Sequence, residues 1–295
     1  MKLKISPEKI KSIQRIAVYS LVLVFLLLLT LQALIGWPID TGTYPVLTEE
    51  EKAIATEQSK CNIAVIPIRG DIISYINANY YDINRDSPPP ATADPDTVAK
   101  TLQTAEANNK IRGILTIIDS YGGDSFAGDL IMKEIKRSEL PTASLIRSAG
   151  ASAGYLIATA GDTIIASPWS DVGSIGVTMS YVQNVEQNKK DGLDYVSLSA
   201  GKYKDAGDPN RILTSEERAI AMRDINTLHR LFIKEVSENR KLPVNAVTKL
   251  ADGSTMLGEL ALKNKLIDQL GDQETARGWF ARKLNISADE VVFCE

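Results

Sequence analysis

The stretch GILTIIDSYGGD, Gly113–Asp124, decides how the rest of the chain is read. Gly113–Asp119 is a short apolar run of the kind buried on both faces of a parallel sheet. SYGGD then breaks it with two consecutive glycines, a helical pattern runs on to about Ser138, and a second strand follows at Ala143–Ile146. The same grammar appears upstream. IAVIPI, Ile63–Ile68, reads as a strand closely followed by Gly70. Asp94 is placed to cap a helix that begins at Pro95 and continues to about Asn108. Between them, Asn84–Asp94 carries Pro88, Pro89 and Pro90 and reads as a loop. Strand, helix and strand in repetition predict an α/β fold with parallel strands and helices on the faces.

The wider composition sets the frame. The chain has 295 residues, 44% of them hydrophobic and 24% charged, with a net charge of -4. That is a globular composition without the basic excess that nucleic acid would require, and the cluster Glu49–Glu51 reads as a solvated first helical turn. Ile16–Trp37 is almost wholly apolar, and its 22 residues would reach about 33 Å as a helix, enough to cross a bilayer core. A cleaved signal peptide has a shorter apolar region and a small-x-small site, which LQALIGWP lacks, so a retained anchor is expected. Lys2, Lys4, Lys9, Lys11 and Arg15 precede the span and the next cation is Lys52, which puts the N-terminus in the cytoplasm and the remainder outside it. The expected organisation is a basic N-terminus at 1–15, an anchor in membrane lipid at 16–37, a linker at 38–60 and one domain at 61–295. In an extracytoplasmic compartment two readings of Cys61 and Cys294 stand, a staple from domain start to tail or two unrelated buried thiols. No Cys or His pattern suggests a metal, and no cofactor motif is present.

In α/β folds reactive groups collect in loops at the carboxyl ends of strands. One such loop is Ser120–Asp124, where Gly122 and Gly123 leave amides unshielded by a Cβ, as an oxyanion hole needs. The other lies in SAGASAGYLIATAG, Ser148–Gly161, a G-x-S-x-G pattern that sets Ser152 at the start of a helix. A serine there also serves as a plain N-cap. As a nucleophile it needs a base. His229, the chain's one histidine, lies mid-helix in TLHRLFIKEV with Ile225, Phe232 and Val236 at helical spacing, so the period accounts for it without catalysis. An amine is the other option, provided its pKa is brought toward neutrality, and LSAGKYKDAGDP, Leu198–Pro209, offers Lys202 and Lys204.

These segments in this order, continued by DGSTMLGELALKNKLIDQLGD, make Cys61–Asp272 similar to the signal peptide peptidase A (protease IV) family of serine peptidases. The resemblance implies a Clp-protease/crotonase-like fold and a Ser/Lys dyad. Residue by residue it puts the nucleophile on Ser152, the base on Lys204, and the oxyanion donors on Gly123 with support from Gly122, and Lys202 becomes a bystander; separately, Ser174 in VGSIGV reads either as a group that orients the lysine or as a plain turn serine. It also implies a ring-shaped homo-oligomer in which the serine and lysine of one site come from different subunits, acting on signal-peptide remnants and other hydrophobic peptides. This chain departs from the family at Tyr121, where proline is usual, at Ala153, where glycine is usual, and at Lys265, a packing position. Two rivals follow: a silent membrane-anchored scaffold of the same fold, and a crotonase-like acyl-CoA enzyme, which an extracytoplasmic domain would rarely supply with substrate.

Overall fold

A computed structural model of the chain describes residues 60–75 and 91–294. The expected anchor at 16–37, its basic flank, most of the linker and residues 84–90 of the triple-proline loop lie outside the described residues, whereas the end of that loop pairs as a short strand. Among the described residues, no helix is long and apolar enough to cross a membrane.

The strand from Gly113 forms, but it is longer than its apolar run. β3 covers Gly113–Gly123 and carries its pairing through the two glycines. On one side it pairs in parallel with β1 (Ile63–Ile72), Ile63 opposite Gly113 through Ile68 opposite Ile118. On the other it pairs in parallel with β4 (Thr142–Ala151). β2 (Thr92–Ala93) borders β1, while β5 (Thr163–Ala166) and β8 (Gln269–Leu270) extend the sheet beyond β4. The upper end of β4 pairs with β6 (Asp171–Gly173), which takes β7 (Thr255–Leu257) as an antiparallel neighbour. The sheet is therefore mixed, with β7 the exception to the parallel expectation. β9 (Phe293–Cys294) lies against β1.

Both faces of β3 are buried, as its sequence requires. Ile114 and Ile118 meet Val98 and Leu102 of α1 (Pro95–Ala107) and Ile131 and Ile135 of α2 (Ser125–Arg137) in one cluster. Leu115 and Ile117 meet Phe280 of α8 (Gln273–Leu284) in another. Asp94 caps α1 as expected, accepting from the Thr97 amide at 3.0 Å. α3 (Ala153–Ala158) is buried along its whole length; α4 (Val185–Lys190) buries nothing; α5 (Ser215–Arg240) is long and amphipathic; α6 (Val244–Leu250) and α7 (Gly258–Lys263) complete the helices described. Of the two cysteine readings the staple holds: Cys61 and Cys294 form a disulfide with Cα atoms 5.1 Å apart.

Candidate active site

The site forms where β3 and β4 outrun their common register. Ser120 is the last β3 residue paired with β4, opposite Gly150, and beyond it Gly122 comes up against Ser152. A Cβ on Gly122 would stand 2.8 Å from Ser152 Cβ and 3.1 Å from its Oγ, so only glycine lets the serine sit there. Ser152 has φ 52° and ψ -124°, a backbone region that non-glycine residues avoid, and its side chain makes no capping bond to α3. The N-cap role open to a serine at this place is therefore not taken. Its amide donates to Gly173 O at 2.8 Å and its carbonyl accepts from Leu156 N at 3.0 Å, so backbone bonds on both sides hold the strained turn.

The two glycines are not equivalent. Gly122 N–H donates to Ser120 Oγ at 3.0 Å, and that hydroxyl donates to Gly70 O at 2.7 Å, filling the irregularity in β1 between Arg69 and Asp71. Asp124 N–H donates to Ile72 O at 2.8 Å on the same side. Successive amides of a strand point to opposite sides, so Gly123 N–H faces away from β1. The Gly122 amide is thus already engaged within the chain, and Gly122 also gives Ser152 its space. The amide of Ala153, in the first turn of α3, has no intrahelical acceptor. In G-x-S-x-G hydrolases the residue after the serine supplies an oxyanion amide, so that pattern is the signal by which Ala153 becomes a candidate.

Asp124 fixes the far end of the glycine turn. It accepts from Phe126 N at 2.7 Å, Ala127 N at 3.3 Å and Ser74 Oγ at 2.6 Å. The Ser74 bond above all holds its carboxyl below the usual carboxylate range. Both departures near Ser152 are accommodated. A Cβ on Gly128 of α2 would come within 2.9 Å of Ala153 Cβ, so the methyl at 153 occupies room that glycine leaves at 128. Tyr121 reaches across β4, its hydroxyl 3.3 Å from Asp171 Oδ2.

Lys204 lies in the run of turns between α4 and α5, exposed, and no hydrogen bond joins it to Ser152 within the chain. Lys202 is engaged otherwise, 2.6 Å from Glu216, and that bond raises its pKa, the wrong direction for a base. Ser174 adopts φ 50°, its amide donating to Ser254 O at 2.9 Å and its hydroxyl to Gly253 O at 3.0 Å, which leaves the oxygen lone pairs to accept. His229 sits in α5 with Nε2 buried and without a partner among the described residues, beside buried Phe232 and Val236. It has the character of a packing residue. Among the described residues no group of three or more metal-ligating side chains comes together.

Two family models match, Clp protease over residues 90–172 and peptidase family S49 over residues 134–287. They overlap on the segment that bears Ser152, and the second extends across Lys204.

The chain belongs to peptidase family S49.

As a family S49 member it is a serine peptidase with a Clp-protease-like α/β fold. A Methanocaldococcus jannaschii protein that bears a protease name is 32% identical to it over 220 residues, 73% of this chain and 71% of that one. Protease 4 of Haemophilus influenzae is 30% identical over 67% of this chain, and the chloroplastic serine protease SPPA of Arabidopsis thaliana 28% over 67%. The match spans 32% and 30% of those two relatives' own lengths.

Proposed function

We propose that this S49 peptidase is a membrane-anchored endopeptidase that cleaves signal-peptide remnants and other hydrophobic peptides with Ser152 as nucleophile and Lys204 as base. The observation that carries the reading is the Ser152 turn: a strained serine, freed from capping, against a glycine that has no room for a side chain. Neutral Lys204 takes the Ser152 proton as Oγ attacks the peptide carbonyl, and water later hydrolyses the acyl-enzyme. Gly123 N–H, joined by the Ala153 amide, stabilises the oxyanion; losing one such donor costs about 3–4 kcal/mol of barrier. The Ser174 oxygen, its proton given to Gly253 O, accepts from the lysine ammonium and orients it.

Lys204 reaches a serine of a neighbouring copy in this reading, in a ring-shaped homo-oligomer. In support, the segment between β6 and α5 exposes Met179, Val182, Leu193, Val196 and Leu198, the last of them 93% exposed. Such a run of bare apolar side chains is costly unless something covers it. The anchor at 16–37 places the domain outside the cytoplasm, a setting with which the disulfide agrees. The room that Gly128 gives Ala153 counts against a silent scaffold, because the nucleophile's helix is packed rather than displaced.

Mixing tests the arrangement. Ser152→Ala and Lys204→Ala, purified as full-length chains, are each expected to be inactive on a fluorogenic signal-peptide substrate. Dissociated and reassembled in equal amounts, they should recover about a quarter of wild-type activity, because one site in four combines an intact serine with an intact lysine from its neighbour. Full activity of the lysine variant removes the dyad, and dead mixtures of correctly assembled chains remove the shared site.

A further inference from the structure

From Gly176 through Glu216 no described residue is buried, so among the described residues no buried hydrophobic side chain of this segment anchors the turn that carries Lys204. The first buried residue after it is Glu217, a carboxylate 4% exposed, and its charge is met by Arg211. A charge in that position is tolerated only when paired and hydrogen-bonded. Glu217 accepts from Arg211 Nη1 at 3.2 Å and from Nη2, and Thr214 N donates to its Oε2 at 3.0 Å in a capping box that starts α5. The same guanidinium has a second task. Its Nε and Nη2 donate to the carbonyl oxygen of Asp205 at 3.0 and 2.8 Å. Asp205 is the residue after Lys204, and its carboxylate accepts from Ser199 Oγ at 2.8 Å and from Ser197 Oγ. The peptide next to the lysine is thus tied by its carbonyl to the head of α5 and by its side chain to the irregular run before the turn.

We infer that Arg211 and Glu217 are positioning residues for the lysine base: they join the Lys204 turn to the rigid start of α5 and fix where the amine is presented. The inference rests on the proposed role of Lys204. Only arginine satisfies the site, because its planar fork spans a carboxylate on one edge and a carbonyl on the other, whereas a lysine ammonium is a single point of charge. Glu217 in turn fixes the fork. Ser197 and Ser199 limit rotation of the turn about the anchored carbonyl. A misplacement of about 1 Å at a reacting group costs on the order of a hundredfold in rate, so loss of the anchor registers in turnover before it registers in folding.

The test uses the full-length chain and compares wild type, Lys204→Ala, Arg211→Lys, Glu217→Gln and the surface pair Ser197→Ala with Ser199→Ala. Peptide turnover, the rate of Ser152 labelling by a fluorophosphonate, melting temperature and assembled mass are read for each. Arg211→Lys and Glu217→Gln are expected to lower kcat about ten- to a hundredfold with KM within about twofold, and the serine pair a few-fold, in chains of wild-type mass. Added to Lys204→Ala, Arg211→Lys should slow labelling no further, since it acts through that lysine. Wild-type kcat in Arg211→Lys overturns the inference, as does an additional loss on top of Lys204→Ala. If Arg211→Lys does not fold, the exposed serine pair decides, and wild-type kcat there overturns it equally. Full activity of Lys204→Ala marks a different failure, that of the dyad itself.

Discussion

Ser152 stores strain that a structural serine has no reason to keep. Its φ of 52° with ψ of -124° suits glycine, and such a conformation costs about 1–3 kcal/mol in any other residue. Ser152→Gly is therefore expected to raise stability by about 1 kcal/mol, measured by urea denaturation, after part of the relief is lost to the freer unfolded chain, while peptide hydrolysis disappears. Ser152→Ala should abolish hydrolysis without that gain. Glu217 makes a prediction of pH dependence at the same scale. Hydrogen bonds from Arg211 first, then from Thr214, hold its carboxyl at about 2, below the value of 4.5 it would have unfolded. A depressed folded pKa gives stability that is complete above the unfolded value and is lost as pH falls through the folded one. The melting temperature of wild type should thus decline between pH 4.5 and about 2 in part through this group, and Glu217→Gln should flatten that part of the profile.

At the scale of elements, the contact between α2 and α3 sets the place of Ser152. Gly128→Ala would put a second methyl within 2.9 Å of the one on Ala153. The expected result is a loss of about 1–3 kcal/mol together with reduced turnover, because α3 carries Ser152 at its head. Ala153→Gly added to it should restore both, measured by thermal unfolding and by kcat, since the pair needs one methyl and not two. The same elements show what the sequence could tell. The apolar runs at Ile63 and Gly113 announced their strands and Asp94 with Pro95 announced α1, because burial and capping leave local marks. The upper halves of β3 and β4 left none. Asp119–Gly123 and Arg147–Ala151 are polar or small, and they are strands only because β1 and β6 lie beside them. Ser152 was legible from its glycine pattern, but its conformation and the diversion of the Gly122 amide to Ser120 depend on that pairing. Thr214 and Glu217 stand at capping-box spacing in the sequence; that Arg211 links this box to the lysine's turn is visible only in three dimensions.

At the scale of the molecule, Cys61 and Cys294 join the beginning and the end of the described domain across a sequence separation of 233 residues. A link across so long a loop removes much freedom from the unfolded chain, and losing it typically costs about 2–5 kcal/mol. Cys61→Ser with Cys294→Ser is expected to melt lower by that equivalent while keeping its peptidase activity at moderate temperature, because β9 touches β1 at the end of the strand away from the Gly122–Ser152 turn. A dithiol reductant should lower the wild-type melting temperature and leave the double variant unchanged.

The bond also makes the domain a closed loop in the covalent sense. In the proposed ring a peptidase would present its own copies with exposed chain, including the bare run from Asp191 to Ala200. A single cut there would not release a fragment, since both pieces stay joined through Cys61 and Cys294. Such a nicked molecule would migrate as one species on a non-reducing gel and as two on a reducing one, and it would keep Ser152 on one piece and Lys204 on the other.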